Sequence, residues 1–293
     1  RLSILMTGLN VIFSVVLISG FGPIPAFGTR GAAMGSVLAS GITSLIFVWL
    51  LFSNRLVIRF SRTMAYRPDW QIIRQLFRFG LPAGFQGIVM NLGGLLMLRY
   101  IGALPFSAQA QGVYSVGYTQ LFSLITWTSH GLLGAATVMA GQNLGAGHPD
   151  RVVRSTHITA SLGLGLAGLV GTAFIFIPEL LLALFGMTEG TVVALGRELL
   201  RYLAISGLFV TVAMTYTGAL QGTGDTRGPF YISIVSQLIV PVGLCTVLQA
   251  MRGLESTDIW LAIVLGHMTR CLLSILRFRQ GHWRRIAVDI GSA

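Results

Sequence analysis

The residues best placed to do chemistry lie in Ala219–Val235, "ALQGTGDTRGPFYISIV". Gly222, Gly224 and Gly228 leave backbone amides free to approach an anion, and the neighbouring Thr and Arg side chains could add donors. A dinucleotide fingerprint, however, needs G-x-G-x-x-G after a strand, and a P-loop needs G-x-x-x-x-G-K-[ST]. Here G-x-G-x-x-x-G follows a helix-length apolar run, and the chain contains no Lys. The residues read better as a tight loop: Gly222 and Gly224 end one helix, Asp225 or Thr226 caps the next, and Pro229 sits in its first turn.

A second polar stretch, "AGQNLGAGHPDRVVRS", has the same logic. Gln142 and Asn143 can hydrogen-bond the last carbonyls of a helix, and Gly145 and Gly147 terminate it. Upstream, Gly131, Gly134, Ala135, Ala136 and Ala140 would let another helix approach closely. Three ionisable side chains fall well inside apolar runs. His130 and His267 could titrate and join proton coupling, but one hydrogen bond to a neighbouring carbonyl is the expected role of each. Arg270 could snorkel or pair with backbone carbonyls. Cys245 and Cys271 also lie in apolar runs, which suggests small core residues and neither a disulfide nor a metal site.

The elements that must carry these residues are membrane spans. Of 293 residues, 54% are hydrophobic and 10% charged, and the mean hydropathy is +0.77, far from a soluble domain. Apolar runs of about 20 residues, each able to cross the hydrocarbon layer as a helix, fall near 3–22, 31–52, 80–101, 110–140, 156–177, 198–219, 229–250 and 259–277. The fourth is overlong. The predicted fold is an all-α, polytopic transmembrane helix bundle of about eight spans.

The formal charge of +11 comes from arginines grouped in short segments between spans, so they read as topology determinants and not as a nucleic-acid face. With both ends inside, fourteen arginines fall on inner segments and five on outer ones. That places both ends of the chain in the cytoplasm. Glu198 and Arg201, three apart, look like a surface ion pair. Residues 68–79 have Trp70, Ile73, Leu76 and Phe77 at helical spacing, as in an amphipathic helix lying in the inner interface. They make 55–79 a linker between bundles. Sliding the first two spans by 226 positions pairs Arg1 with Arg227, Thr43 with Thr269 and Phe52 with Phe278 without a gap, as in transporters built from parallel repeats.

Three motifs, "GALQGTGDTRGP", "GLLGAATVMAGQNLGAG" and "GFGPIPAFGTRGAAMGSVLA", resemble the multidrug and toxic compound extrusion (MATE) family along essentially the whole chain. The resemblance implies twelve spans in two six-helix lobes. It would make 1–54 the last two helices of a first lobe, 80–280 a complete second lobe and 281–293 a cytoplasmic tail. About four helices of the same chain would then precede Arg1. The resemblance further implies a monomeric antiporter of a bacterial inner membrane, expelling small organic cations or amphipathic drugs against Na⁺ or H⁺ by rocking two lobes. No cofactor beyond the coupling ion, no metal, no enzymatic activity and no nucleic-acid partner is expected.

Some members carry a coupling acid in the helices corresponding to the third and sixth spans, where this chain has no Asp or Glu in the membrane core. Others use an acid in the first helix. Gln86, Asn91, Tyr114, Tyr118, Trp127, His130 and Tyr216 are candidates to line a substrate cavity. Each has an ordinary alternative, as an interface anchor or an interhelical hydrogen-bonding group. Two other readings are a lipid-linked oligosaccharide flippase of the wider superfamily, needing several cationic groups, and a membrane-embedded enzyme, needing a convergent catalytic set.

Overall fold

A computed structural model describes residues 2–23, 25–53 and 67–286. Among them the regular elements are helices, eight of which are long and apolar enough to cross a membrane. Arg1, residues 55–66 of the expected linker with Arg55, Arg59 and Arg62, and most of the tail lie outside the described residues.

The chain divides into two compact units, Arg1–Pro68 and Asp69–Ala293. In the first, α1 (Leu2–Ser19) packs against α2 (Thr29–Phe52). Small residues make this possible, because a Cβ on Gly31 would sit 2.3 Å from the Leu17 carbonyl oxygen. Asn10 Nδ2 donates to Ser36 Oγ across the pair at 3.0 Å.

The second unit holds α3 (Trp70–Gly102), α4 (Ser107–Gly145), α5 (Pro149–Phe176), the short α6 (Pro178–Ala183), α7 (Gly190–Gly222), α8 (Arg227–Arg252) and α9 (Ser256–Arg279). The interfacial helix expected over 68–79 is not a separate element. Asp69 caps α3 by accepting from the amides of Gln71 (2.8 Å) and Ile72 (3.2 Å), and the helix runs on through Pro82 into the span. The composition changes there from amphipathic to apolar, but no residue stops the helix. Pro82 removes one amide donor and α3 absorbs that loss.

Two helices are interrupted by π turns, at Ser115–Leu121 in α4 and Val235–Ile239 in α8. The second has a visible cause: Pro241 has no amide to give the Gln237 carbonyl four residues back, and the backbone widens.

The core is α7, the most buried of the spanning helices, between α4, α5 and α9. Glycines bring it close to α4: a Cβ on Gly218 would lie 2.3 Å from Leu133 O, and one on Gly222 would lie 2.1 Å from Thr137 O. Thr137 Oγ1 donates to Gly218 O at 3.0 Å. Close approach depends on these glycines of α7 and on small residues of α4, where Ala136 and Ala140 are buried and a Cβ on Gly141 would lie 3.0 Å from Gly222 O. Gly131 and Gly134 of α4, expected to serve it, have open space where a side chain would be.

The ends of α9 and α7 are pinned by charges. Glu255 and Asp258 form a capping box at the start of α9, and Arg252 Nη2 lies 2.7 Å from Asp258 Oδ1. The expected Glu198–Arg201 pair does not form; Arg197 instead pairs with Glu179 of α6, and Arg201 adds to the field on the same carboxylate. Spacing on one helix could not reveal a partner on another. The Glu179 carboxyl is held below the usual range, foremost by hydrogen bonding to backbone at its helix start and then by Arg197.

Candidate functional site

In the glycine loop after α7 the amides of Gly224, Asp225, Thr226 and Gly228 are already engaged. Asp225 N donates to Leu220 O at 2.9 Å and Gly224 N to Gln221 O at 3.0 Å. With Gly224 at φ 91°, this is a Schellman cap, and it engages the loop's backbone donors. Thr226 N is bonded to Gly224 O, and Gly228 N donates to Asp225 Oδ1 at 3.0 Å. Asp225 is thus the side-chain cap of α8; Thr226, at the N-cap position, makes no capping bond through its own side chain. The second Asp225 oxygen accepts from Arg277 Nε of α9 at 2.7 Å, and the aspartate is 4% exposed. Sequence reading found the cap but missed the Arg277 partner, 52 residues away.

The loop after α4 closes the same way. Gly147, at φ 76°, donates to Leu144 O, and His148 N donates to Asn143 O. The Asn143 side chain returns to Met139 O at 2.8 Å, and Gly145 is the last helical residue. Gln142 contributes its carbonyl to the Ala146 amide. Both glycine loops are helix-ending devices.

The chemistry lies deeper, in a cavity of about 450 Å³ within the second unit. Met90, Asn91 and Met97 come from α3, Tyr114, Tyr118 and His130 from α4, Met214 from α7, Ser236 and Gln237 from α8, and His267 and Arg270 from α9. Both π turns reach it, through Tyr118 and Ser236. Glycines admit the α8 turn: a Cβ on Gly93 would meet Gln237 O at 2.6 Å, and one on Gly266 would meet Ser236 O at 2.6 Å.

Tyr114 and Tyr118 stack at 4.9 Å, and Tyr118 lies 6.5 Å from His267 at 13°. These rings form a flat aromatic wall. His130 makes the expected bond, with Nδ1 2.7 Å from Thr126 O. His267 does not: it is buried, and among the described residues its Nδ1 has no partner. Arg270, 3% exposed, neither snorkels nor reaches backbone carbonyls among the described residues; its Nη1 faces Met90 Sδ at 3.6 Å and its Nε has no partner there. The buried Ser236 Oγ is also unpartnered. Among the described residues no Asp or Glu lines the cavity.

Four of the seven expected lining residues, Asn91, Tyr114, Tyr118 and His130, meet here. The other three lie elsewhere. Gln86 is buried and its Oε1 accepts from Gln221 Nε2 at 2.9 Å, tying α3 to α7. Trp127 is exposed on the outside of α4. Tyr216 belongs to a second cluster, packed edge-on against Phe278 at 5.2 Å. Hydropathy could not separate these faces, since inward, outward and interhelical positions of a membrane helix are all apolar. Ser236 and Gln237 were missed; Pro241, four or five residues on, was the available signal.

Helices long and apolar enough to cross a membrane, with a solute-sized chamber among those of the second unit, define a polytopic membrane protein. The particular family follows from comparison with known proteins. The MatE family model matches residues 82–247, more than half of the chain, and the chain belongs to the MATE family. It is 24% identical over 98% of its length to a probable multidrug resistance protein NorM of Thermotoga maritima, covering 62% of that protein. It is 26% identical over 94% of its length to a probable multidrug resistance protein NorM of Agrobacterium fabrum, covering 60%. An outward-facing multidrug resistance MATE family transporter of the MOP superfamily superposes with a TM-score of 0.86 at 19% identity, over 97% of this chain and 62% of the other. The chain thus spans about three fifths of the length of these relatives.

Proposed function

We propose that the chain is the larger part of a secondary multidrug antiporter. On this reading it expels amphipathic drugs, organic cations among them, against Na⁺ or H⁺ by alternating access of two lobes. Residues 1–54 supply the end of one lobe, 55–79 the linker, 80–280 the other lobe and 281–293 the tail, in a monomer. The observation that carries the reading is membership of the MATE family over residues 82–247; the aromatic and Met-lined cavity supports it. Flexible thioethers and flat rings accommodate varied shapes better than a rigid polar site would. The excess of arginines on alternate loops supports a bacterial inner membrane with both described ends cytoplasmic.

A flippase for lipid-linked oligosaccharide has one observation in its favour, the guanidinium of Arg270 in the cavity wall. A pyrophosphate calls for several such groups, so this reading ranks second. Transport is preferred to catalysis because the cavity's titratable groups are tyrosines, two histidines and an arginine, with no nucleophile and base in register.

The test is efflux in everted vesicles from cells expressing the complete open reading frame. Fluorescent amphipathic compounds, ethidium among them, should accumulate when a Na⁺ or a pH gradient is imposed and should stop when it is collapsed. Accumulation indifferent to both gradients would refute antiport.

A further inference from the structure

We propose that the cavity between α3, α4, α8 and α9 holds the singly charged anionic group, a sulfonate or carboxylate, of an amphipathic aromatic molecule, with Arg270 as its counter-charge. The physiological meaning rests on the transport reading above, but the binding chemistry stands on the cavity itself.

A guanidinium stays protonated in a protein, and here it is 3% exposed in a chamber wall. Its contacts do not neutralise it. Nη1 faces a thioether at 3.6 Å, a weak acceptor, and Nε has none. Among the described residues no carboxylate lies within ion-pair distance of Arg270, although four such pairs form elsewhere. A desolvated charge without a partner is costly, and a structure that keeps one gains when a ligand supplies the opposite charge. The guanidinium fork suits a planar carboxylate or a sulfonate face.

Two further buried polar atoms of residues lining the same cavity are unpartnered among the described residues, Ser236 Oγ and His267 Nδ1. Both can donate to an anion. Tyr114 and Tyr118, stacked beside them, supply a surface for an aromatic ring. A volume of about 450 Å³ suits one small amphipathic molecule. An organic cation would meet a like charge here and no carboxylate. Charge in this lobe therefore selects the negative end of a drug, whether the whole molecule is an anion or a zwitterion.

The experiment uses the protein expressed from its complete open reading frame, in phosphatidylcholine nanodiscs. Fluorescence titration compares 8-anilinonaphthalene-1-sulfonate with neutral N-phenyl-1-naphthylamine, which has the same rings without the sulfonate. Arg270→Met should weaken sulfonate binding about ten- to a hundredfold, the span expected for a charged hydrogen bond. The neutral probe should stay within about twofold, which also reports a folded cavity. Arg270→Lys should remain within about tenfold of the parent, and Arg284→Gln with Arg285→Gln, on the inner face, should change nothing.

If Arg270→Met loses both probes through misfolding, the parent decides. There 2-naphthalenesulfonate should displace the sulfonate probe and 2-naphthalenemethanol, at the same concentration, should not. Unchanged sulfonate affinity in a folded Arg270→Met protein, displacement by the alcohol, or a loss that follows Arg284 and Arg285 instead would overturn the proposal. Gradient-driven efflux with no Arg270-dependent binding would sink this inference alone. Arg270-dependent binding with no efflux would sink only the antiport reading.

Discussion

Breaking the Asp225–Arg277 pair from its two sides should have unequal costs, and the structure says which is larger. Asp225 is 4% exposed and accepts from the Gly228 amide and Arg277 Nε. The Arg277 side chain is 33% exposed. Asp225→Asn keeps an oxygen for Gly228 N and leaves an arginine that can turn towards water, so the loss is one charge-assisted bond, about 1–2 kcal/mol. Arg277→Met leaves a carboxylate sealed in the loop with only one amide, the situation in which a buried pair is broken at its accessible end, at about 3–5 kcal/mol. Removing both charges relieves that penalty, so the double variant should be more stable than Arg277→Met alone, with a coupling of about 1–3 kcal/mol. Reversible SDS titration in mixed micelles, run on the parent and three variants, gives the full cycle. The reasoning is refuted if Asp225→Asn costs more than Arg277→Met, or if the two add to within about 0.5 kcal/mol.

Gly222→Val should destabilise by about 3 kcal/mol or more, because even a Cβ would lie 2.1 Å from the Thr137 carbonyl oxygen and backbone cannot give way cheaply. Gly131→Ala and Gly134→Ala, with open space at both sites, should be neutral or gain up to about 1 kcal/mol from helix propensity; thermal melting of the three side by side separates the cases. The Glu179–Arg197 pair, about half exposed on both sides, should matter little and only in a defined pH range. Because the folded-state carboxyl is depressed, its small contribution is present above the ordinary Glu pKa of about 4.3 and fades as pH falls through the lower folded value. Melting of Glu179→Gln against the parent should therefore differ near neutrality, converge in acid, and shrink in high salt by the Arg197 share while the backbone hydrogen bond persists; a difference that grows in acid would contradict the assignment.

The spans could be read from sequence because crossing a membrane is a property of a segment by itself. About 20 apolar residues must satisfy their own backbone as a helix, whatever they later touch. The caps at Asp225, Gly147 and Gly224 were legible for the same reason, since their hydrogen bonds close within six residues. What failed was anything that depends on a second helix. The small residues Gly131 and Gly134 had the right composition for close packing, but Gly218 and Gly222 meet the α4 backbone. Glu198 had an arginine at the right spacing, but the pair that forms joins α6 and α7.

The cavity shows most sharply how local and non-local information divide. Hydrophobicity places Arg270 within a span and physics makes it expensive there, so its presence could be flagged from the sequence alone. Its meaning could not, because the expected remedies, snorkelling or backbone carbonyls, depend on neighbours. The structure gives it Met90 and, among the described residues, an unfilled Nε, and brings Ser236 to the same cavity through a π turn whose sequence signal is a proline four or five residues on. Among the described residues the lining of the cavity holds no Asp or Glu that a search for a cation-binding acid could find. The informative residue is the cation left without a partner.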